Sequence, residues 1–259
     1  MKKKYAIITG AAGFLGSVFS KELALNNFGL ILIDINKNKL INLKRKLLKI
    51  YNSLSLEVFV ADITNENVIN KILDNLKKKK IIVSVLINNA AIDAKPKKNK
   101  NEKYLSKKEW EHEIDVGLTG SYLMTKFFGE HMFKQKFGKI INIGSDLSVI
   151  SPNQSLYKSS YNNYYKPASY SAIKHGLLGL TRYFATLYAS NNVTCNMISP
   201  GAIYNDQSNI LIKKIKSITP MGRLGSVEDL LGLLIFLVNE RSNFITGQNI
   251  LVDGGRTVI

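Results

Sequence analysis

The sequence predicts an α/β fold in which a doubly wound, parallel, seven-stranded sheet is covered by helices on both faces, a three-layer α/β/α arrangement. Three observations carry this expectation. Short β-branched runs alternate with longer helical patterns along the whole chain. The strand-like runs are almost continuously apolar, as burial on both faces requires. A glycine-rich turn follows the first of them.

Taken in order, the strands are expected at Tyr5–Thr9, Gly29–Asp34, Leu56–Ala61, Val83–Asn88, Lys139–Ile143, Val193–Ile198 and Asn249–Val252. The stretches between them have helical periodicity. In the second, Leu40, Leu43, Leu47 and Ile50 form one apolar stripe bordered by Lys39, Lys44, Arg45, Lys46 and Lys49. Two connections break the pattern: a Lys-rich polar loop, Ala94–Lys103, and a long Tyr, Ser and Asn-rich loop, 148–168. Long loops inside compact domains are uncommon and often functional. No repeat or linker divides the chain, so one domain spanning 1–259 is expected.

Composition excludes several classes. A lone Cys195 provides neither a disulfide framework nor a Cys-based zinc site. His112, His131 and His175 lack metal-ligand spacing, so no metal is expected. The longest clean apolar run, Leu230–Val238, is far short of the ~18 residues of a membrane span. Met1-Lys2-Lys3-Lys4 and the apolar stretch after it imitate a signal peptide, but Gly10, Gly13 and Gly16 interrupt the run and no cleavage site follows. A cytoplasmic location is expected. The net charge of +17 comes mostly from Lys; Arg, whose planar fork suits base edges and phosphates, stands only at 45, 182, 223, 241 and 256. A solvated basic surface is therefore expected, with weak nonspecific nucleic-acid binding and no specific nucleic-acid or membrane partner.

The chemistry begins at Thr9-Gly10-Ala11-Ala12-Gly13-Phe14-Leu15-Gly16. Glycines between a strand and a helix allow a tight turn, backbone approach to a pyrophosphate and close helix–strand packing, with the helix N-terminus facing the negative charge. Asp34 closes the second strand 18 residues past Gly16, where a carboxylate accepts hydrogen bonds from ribose hydroxyls and repels a 2′-phosphate. NAD is expected, with NADP left open because Lys37 is near. The sheet is accordingly read as Rossmann-type.

These residues, together with Asp62-Ile63, Asn88-Asn89-Ala90-Ala91, Ser145, Tyr170 with Lys174, and Pro200-Gly201 in that order, resemble the short-chain dehydrogenase/reductase family over nearly the whole chain. The ordered set carries the resemblance; a second Tyr-x-x-x-Lys, Tyr104 with Lys108, shows how little that spacing means alone. On a helix, i and i+4 share a face, so the Lys174 ammonium lowers the Tyr170 phenol from its reference of ~10. The resemblance implies that Tyr170 exchanges a proton with the substrate oxygen, that Ser145 hydrogen-bonds that oxygen, and that Lys174 also holds the nicotinamide ribose. It further implies a cofactor site formed by Gly10, Gly13, Phe14, Leu15, Gly16, Asp34, Asp62, Ile63, Asn89, Ala90, Ala91, Tyr170, Lys174, Pro200, Gly201 and Ile203, and a homodimer or homotetramer paired through helices around 106–132 and 168–190.

Three departures from the family pattern stand out. Phe14 occupies a position where shorter members usually have glycine. Gly117 replaces the Asn of a proton relay, leaving a main-chain carbonyl for that catalytic role. The interval from Ser145 to Tyr170 is longer than usual and holds Tyr157, Tyr161, Tyr164 and Tyr165. This enlarged loop and the phrase from Lys166 to Lys174 are similar to oxidoreductases of bacterial surface-sugar pathways, including those linked to legionaminic acid and flagellin glycans. The expected activity is NAD-dependent hydride transfer between nicotinamide and a secondary alcohol or ketone of a sugar or sugar phosphate. Lys95, Lys97, Lys98 and Lys100 are expected to form an anion-binding rim. Two alternatives stay open: a 3-oxoacyl carrier-protein reductase, and a catalytically weakened NAD sensor marked by Gly117.

Overall fold

The computed structural model describes residues 3–92, 103–161 and 164–259. Seven strands form one parallel sheet: β1 (Lys4–Thr9), β2 (Gly29–Asp34), β3 (Leu56–Val60), β4 (Ile82–Asn88), β5 (Gly138–Ile143), β6 (Val193–Pro200) and β7 (Asn249–Val252), in the order β3-β2-β1-β4-β5-β6-β7. The expected strands recur within two residues at every end. Because β1 is flanked by β2 and β4, the order in which strands are added reverses there, and the carboxyl ends of β1 and β4 open a crevice between them.

Alternation along the strands sends side chains to two separate cores. Ala6 and Ile8 of β1 join Leu30 and Leu32 beneath α1 (Phe14–Leu25), α2 (Lys37–Ile50) and α8 (Glu228–Val238), through Phe19, Leu23, Leu40, Leu234 and Leu237. Ile7, Ile31 and Ile33 point the other way. They meet α3 (Glu66–Lys78), the helix 107–135 (α4) and α6 (Ala168–Tyr188) through Ile72, Met124, Phe128 and Phe184. Each such fully buried side chain contributes about 1.5–3 kcal/mol. The stripe of α2 is shorter than its sequence pattern: Leu40 and Leu47 are buried, whereas Ile50, in the last turn, is 57% exposed.

Two further helices lie above the carboxyl ends of the strands: α5 (Gln154–Lys158) and α7 (Asn209–Ser217). The first corrects the expectation of an irregular loop over 148–168. Asn153 caps it by accepting from the Ser155 N–H, and Leu156 buries itself against Leu211 and Ile215 of α7. The Lys-rich segment 94–102, with Lys95, Lys97, Lys98 and Lys100, lies outside the described residues.

A polar ladder crosses the second core. Asn88 Nδ2 donates to Thr125 Oγ1 and Asn142 Oδ1, and Asn142 Nδ2 donates to Thr181 Oγ1 (2.8–2.9 Å), tying β4 and β5 to α4 and α6. The Cys195 thiol is fully buried beside it, and burial pushes it well above the ordinary thiol range. Among the described residues, no helix is long and apolar enough to cross a membrane.

At the opposite end of β5, Lys139 is completely buried, with Nζ donating to Ser242 Oγ at 3.3 Å. Burial lowers its ammonium to about 8. An unfolded Lys keeps its proton to ~10.4, so the unfolded chain binds more protons than the native one between those values, and this residue makes stability rise with pH across that window. Lys139→Met is expected to gain most over the wild type near pH 7, the gap closing by pH 10 in urea unfolding; a constant gap would contradict the assignment.

Candidate active site

The turn after β1 is built around Gly10, whose φ of +60° suits glycine and whose missing Cβ would lie 2.8 Å from Ala90 Cα. Asn89 fixes it: its Nδ2 donates to Thr9 O (2.9 Å) and Gly10 O (3.1 Å). Thr9 Oγ1 accepts from the N–H groups of Asn89 and Ala90 and donates to Ile87 O. Gly13 caps α1, and Gly16 packs so closely on the turn that a Cβ would stand 2.3 Å from Gly10 O. Phe14 and Leu15 open the helix at the cavity edge.

Asp34, at the end of β2, accepts from Ala12 N through Oδ2 and from Asn36 N through Oδ1, both at 2.8 Å. The carboxylate is thus bolted to the glycine turn while still bordering the cavity. Asp62 organises the entry to α3 by accepting from Thr64, and Ile63 packs against Gly120 of α4.

Ser145 follows β5 and begins a short 3₁₀ turn; its Oγ accepts from Leu147 N and donates to Asp146 Oδ1 at 2.9 Å. Tyr170 lies in the first turn of α6, at the positive end of the helix dipole. One turn later Lys174, almost fully buried, donates to Ile143 O at 2.8 Å, with Nζ 5.6 Å from the Tyr170 ring centre. The side chains of Ser169 and Glu113 bond and lock this first turn onto α4. The competing Tyr104–Lys108 pair sits on the surface, with Tyr104 74% exposed.

Gly117 falls in the first of two π-helical turns of α4, Asp115–Thr119 and Thr125–Gly129. A Cβ there would meet Ile173 at 2.9 Å, so Ile173 occupies the space of the missing side chain. The Gly117 carbonyl accepts from Ser121 Oγ at 3.0 Å, and its neighbour Val116, not Gly117 itself, borders the cavity.

One cavity of about 1060 Å³ joins these parts. It runs from Asp34 past the glycine turn, Asn89, Ala90 and Ala91 to Ser145, Tyr170 and Lys174, then to Pro200, Gly201 and Ile203. Of the residues expected at the cofactor, Gly16 alone is not in its lining, consistent with its packing position. The volume exceeds that of ordinary small-ligand pockets and leaves room for a dinucleotide with a second molecule beside it. Among the described residues there is no group of His, Cys, Asp or Glu able to hold a metal.

The family model described as enoyl-(acyl carrier protein) reductase matches residues 10–257. The chain belongs to the short-chain dehydrogenase/reductase family. It is accordingly an NAD(P)-dependent oxidoreductase. It is 34% identical to a 3-oxoacyl-[acyl-carrier-protein] reductase of Buchnera aphidicola subsp. Baizongia pistaciae, covering 98% of this chain and 97% of the relative. It is 28% identical to post-translational flagellin modification protein A of Campylobacter coli, covering 98% of each. A short chain dehydrogenase of Leptospira borgpetersenii with bound NAD⁺ superposes with a TM-score of 0.85 at 29% identity, covering 99% of this chain and 94% of that one.

Sequence reasoning missed part of the wall. Arg256 Nη1 binds Asp146 Oδ2 at 2.7 Å in a buried ion pair next to Ser145, and both residues border the cavity. Burial raises the Asp146 carboxyl and Arg256 opposes that rise. Burial likewise raises the Tyr157 phenol beside this pair. The available signal was Arg256 directly after the Gly254-Gly255 turn, both glycines having positive φ. Removing one member of a buried pair strands the other charge. Arg256→Met is expected to cost about 3–5 kcal/mol in denaturant unfolding at pH 7; a loss below ~1 kcal/mol would show the pair to be solvated.

Proposed function

We propose that this oxidoreductase uses NAD to interconvert a secondary alcohol and a ketone on a sugar or sugar phosphate of a surface-glycan pathway. The observation that carries the substrate class is the polar character of the cavity wall beyond Tyr170, which Tyr157, Tyr161, Tyr164, Asn205, Gln207 and Arg256 line. Such groups suit a polyhydroxylated molecule. The relation to the flagellin modification protein supports the same reading.

A bound nicotinamide would supply the hydride chemistry, taking hydride from the carbinol carbon in oxidation or giving it to the carbonyl carbon in reduction. Asp34 would receive the ribose hydroxyls and disfavour a 2′-phosphate. The Gly10–Gly16 turn and the α1 N-terminus would hold the pyrophosphate, with Asp62 and Ile63 bordering the adenine. The backbone of Asn89, Ala90 and Ala91 would line the cofactor, and Pro200, Gly201 and Ile203 would hold the carboxamide. Tyr170 takes the alcohol proton in oxidation and returns one to the ketone oxygen in reduction. Ser145 positions that oxygen, and Lys174 favours the phenolate and would hold the ribose; the Gly117 carbonyl, bonded to Ser121 and away from the cavity, takes no part in this reading. A single domain over 1–259 acting in the cytoplasm fits this chemistry. Tyr122, Tyr183 and Leu187, exposed on α4 and α6, support pairing into a homodimer or homotetramer.

A second reading is favoured by Leu211 and Ile215, apolar residues in the same cavity wall, and by the acyl-carrier-protein reductase relatives. It is reduction of a 3-oxoacyl chain. Titration with NADH and NADPH by nicotinamide fluorescence, followed by turnover with hexose phosphates, nucleotide sugars and acetoacetyl-CoA, separates the two. The expected result is tighter NADH binding with sugar turnover. Asp34→Ala is expected to weaken NADH binding roughly tenfold or more, as loss of charge-assisted hydrogen bonds of ~1.5–3 kcal/mol implies, without weakening NADPH. Preference for NADPH with acetoacetyl-CoA turnover would establish the second reading, and cofactor binding without any turnover would favour a sensor.

A further inference from the structure

Lys166 lies in the segment that lengthens the interval between Ser145 and Tyr170, and it borders the cavity. Its Nζ stands 4.0 Å from the Tyr170 ring centre, closer than the 5.6 Å of Lys174. Its backbone is held at both ends by one side chain: Lys166 N donates to Gln154 Oε1 at 2.9 Å, and Gln154 Nε2 donates to Lys166 O at 3.0 Å. Gln154 is the first residue of α5, itself anchored through Leu156 against α7. Pro167, which follows Lys166, caps α6 and receives the Tyr170 N–H on its carbonyl. The added helix thus sets where the Lys166 backbone enters α6, and with it the reach of the ammonium over the phenol.

We propose that Lys166, held by the Gln154 clamp, is a positioning residue that acts through Tyr170, as a second cation stabilising its phenolate. This rests on the reading of Tyr170 as the acid/base. A cation over an aromatic face is attracted to the ring, and more strongly once the ring bears negative charge. The other groups around Tyr170 do not replace it. Lys174 acts from the same helix and is turned toward Ile143 O. Asp146 and Arg256 oppose one another as a bonded pair. His112 of α4, Tyr157, Tyr161 and Tyr164 of the added segment, and Asp206 are the other titratable residues of the cavity lining at this end among the described residues. Lys166 therefore supplies positive charge that Lys174 alone does not, and it extends the pH range over which Tyr170 is ready to take a proton.

The test needs no substrate. The full chain is labelled with ¹³C at tyrosine ζ carbons, the Tyr170 resonance is identified by its loss in Tyr170→Phe, and it is titrated from pH 6 to 11. Removing an opposite charge at this distance is expected to raise the midpoint in Lys166→Gln by about one pH unit, a tenfold loss of phenolate at lower pH. Lys166→Arg should stay near the wild type, and Gln154→Ala should move part of the way upward. An unmoved midpoint in Lys166→Gln with wild-type thermal unfolding would overturn the proposal. Should Lys166→Gln fail to fold, Gln154→Ala decides, and no upward movement there overturns it. Turnover separates the underlying reading: a moved midpoint alongside full activity in Tyr170→Phe would keep the coupling and remove Tyr170 as the acid/base.

Discussion

The clamp between the ends of β1 and β4 is the constraint on which the rest of the cavity depends. Parallel neighbours whose chains leave in opposite directions must end side by side with unpaired backbone groups. Here Thr9 and Asn89 satisfy them for one another: a single hydroxyl serves two N–H groups, and one amide serves two carbonyls. The turn at Gly10 is held open as a result, Ala12 reaches Asp34, and α1 starts with its N-terminus at the crevice. Loosening that corner would displace the Asp34 end of the cavity, whereas the two cores beneath it rest on separate packing.

The strands and the glycine turn were legible because their signals are local. A buried parallel strand is a short apolar run, and a glycine turn is contiguous in the chain, so β2 and β7 are found residue for residue. That Tyr170 and Lys174 meet on one helix at the cavity was legible because a helix converts spacing into a shared face. The buried pair of Asp146 and Arg256 was not, since its members stand 110 positions apart and meet only through the segment that follows the edge strand β7. Ile50 misled in the other direction: the apolar stripe of α2 continues past the point where the helix leaves the sheet. Likewise, α5 hid inside a polar stretch, because its five residues are stabilised by an Asn cap and one buried Leu156, too little for periodicity to show.

The added segment and the departures in α4 belong to the same region. Gly117 lets Ile173 press against α4, and Ser169 holds Glu113, so α6 is located by α4 from one side. On the other side Gln154 fixes Lys166 and hence the start of α6. Tyr170 sits between these two supports, in a first helical turn at the cavity, with Lys166 and Lys174 within 4.0 and 5.6 Å of its ring centre. The enlarged loop, read from sequence as a substrate-facing insertion, thus holds the entry to α6 as well as contributing to the cavity wall.

The most direct test of the central claim compares wild type with Tyr170→Phe, measuring NADH binding by fluorescence and turnover with whichever panel substrate the wild type accepts. The account predicts cofactor binding within about twofold of wild type and a rate lowered by roughly 10²–10⁴, the usual contribution of a positioned general acid or base. Turnover close to wild type would contradict the assignment of proton transfer to Tyr170.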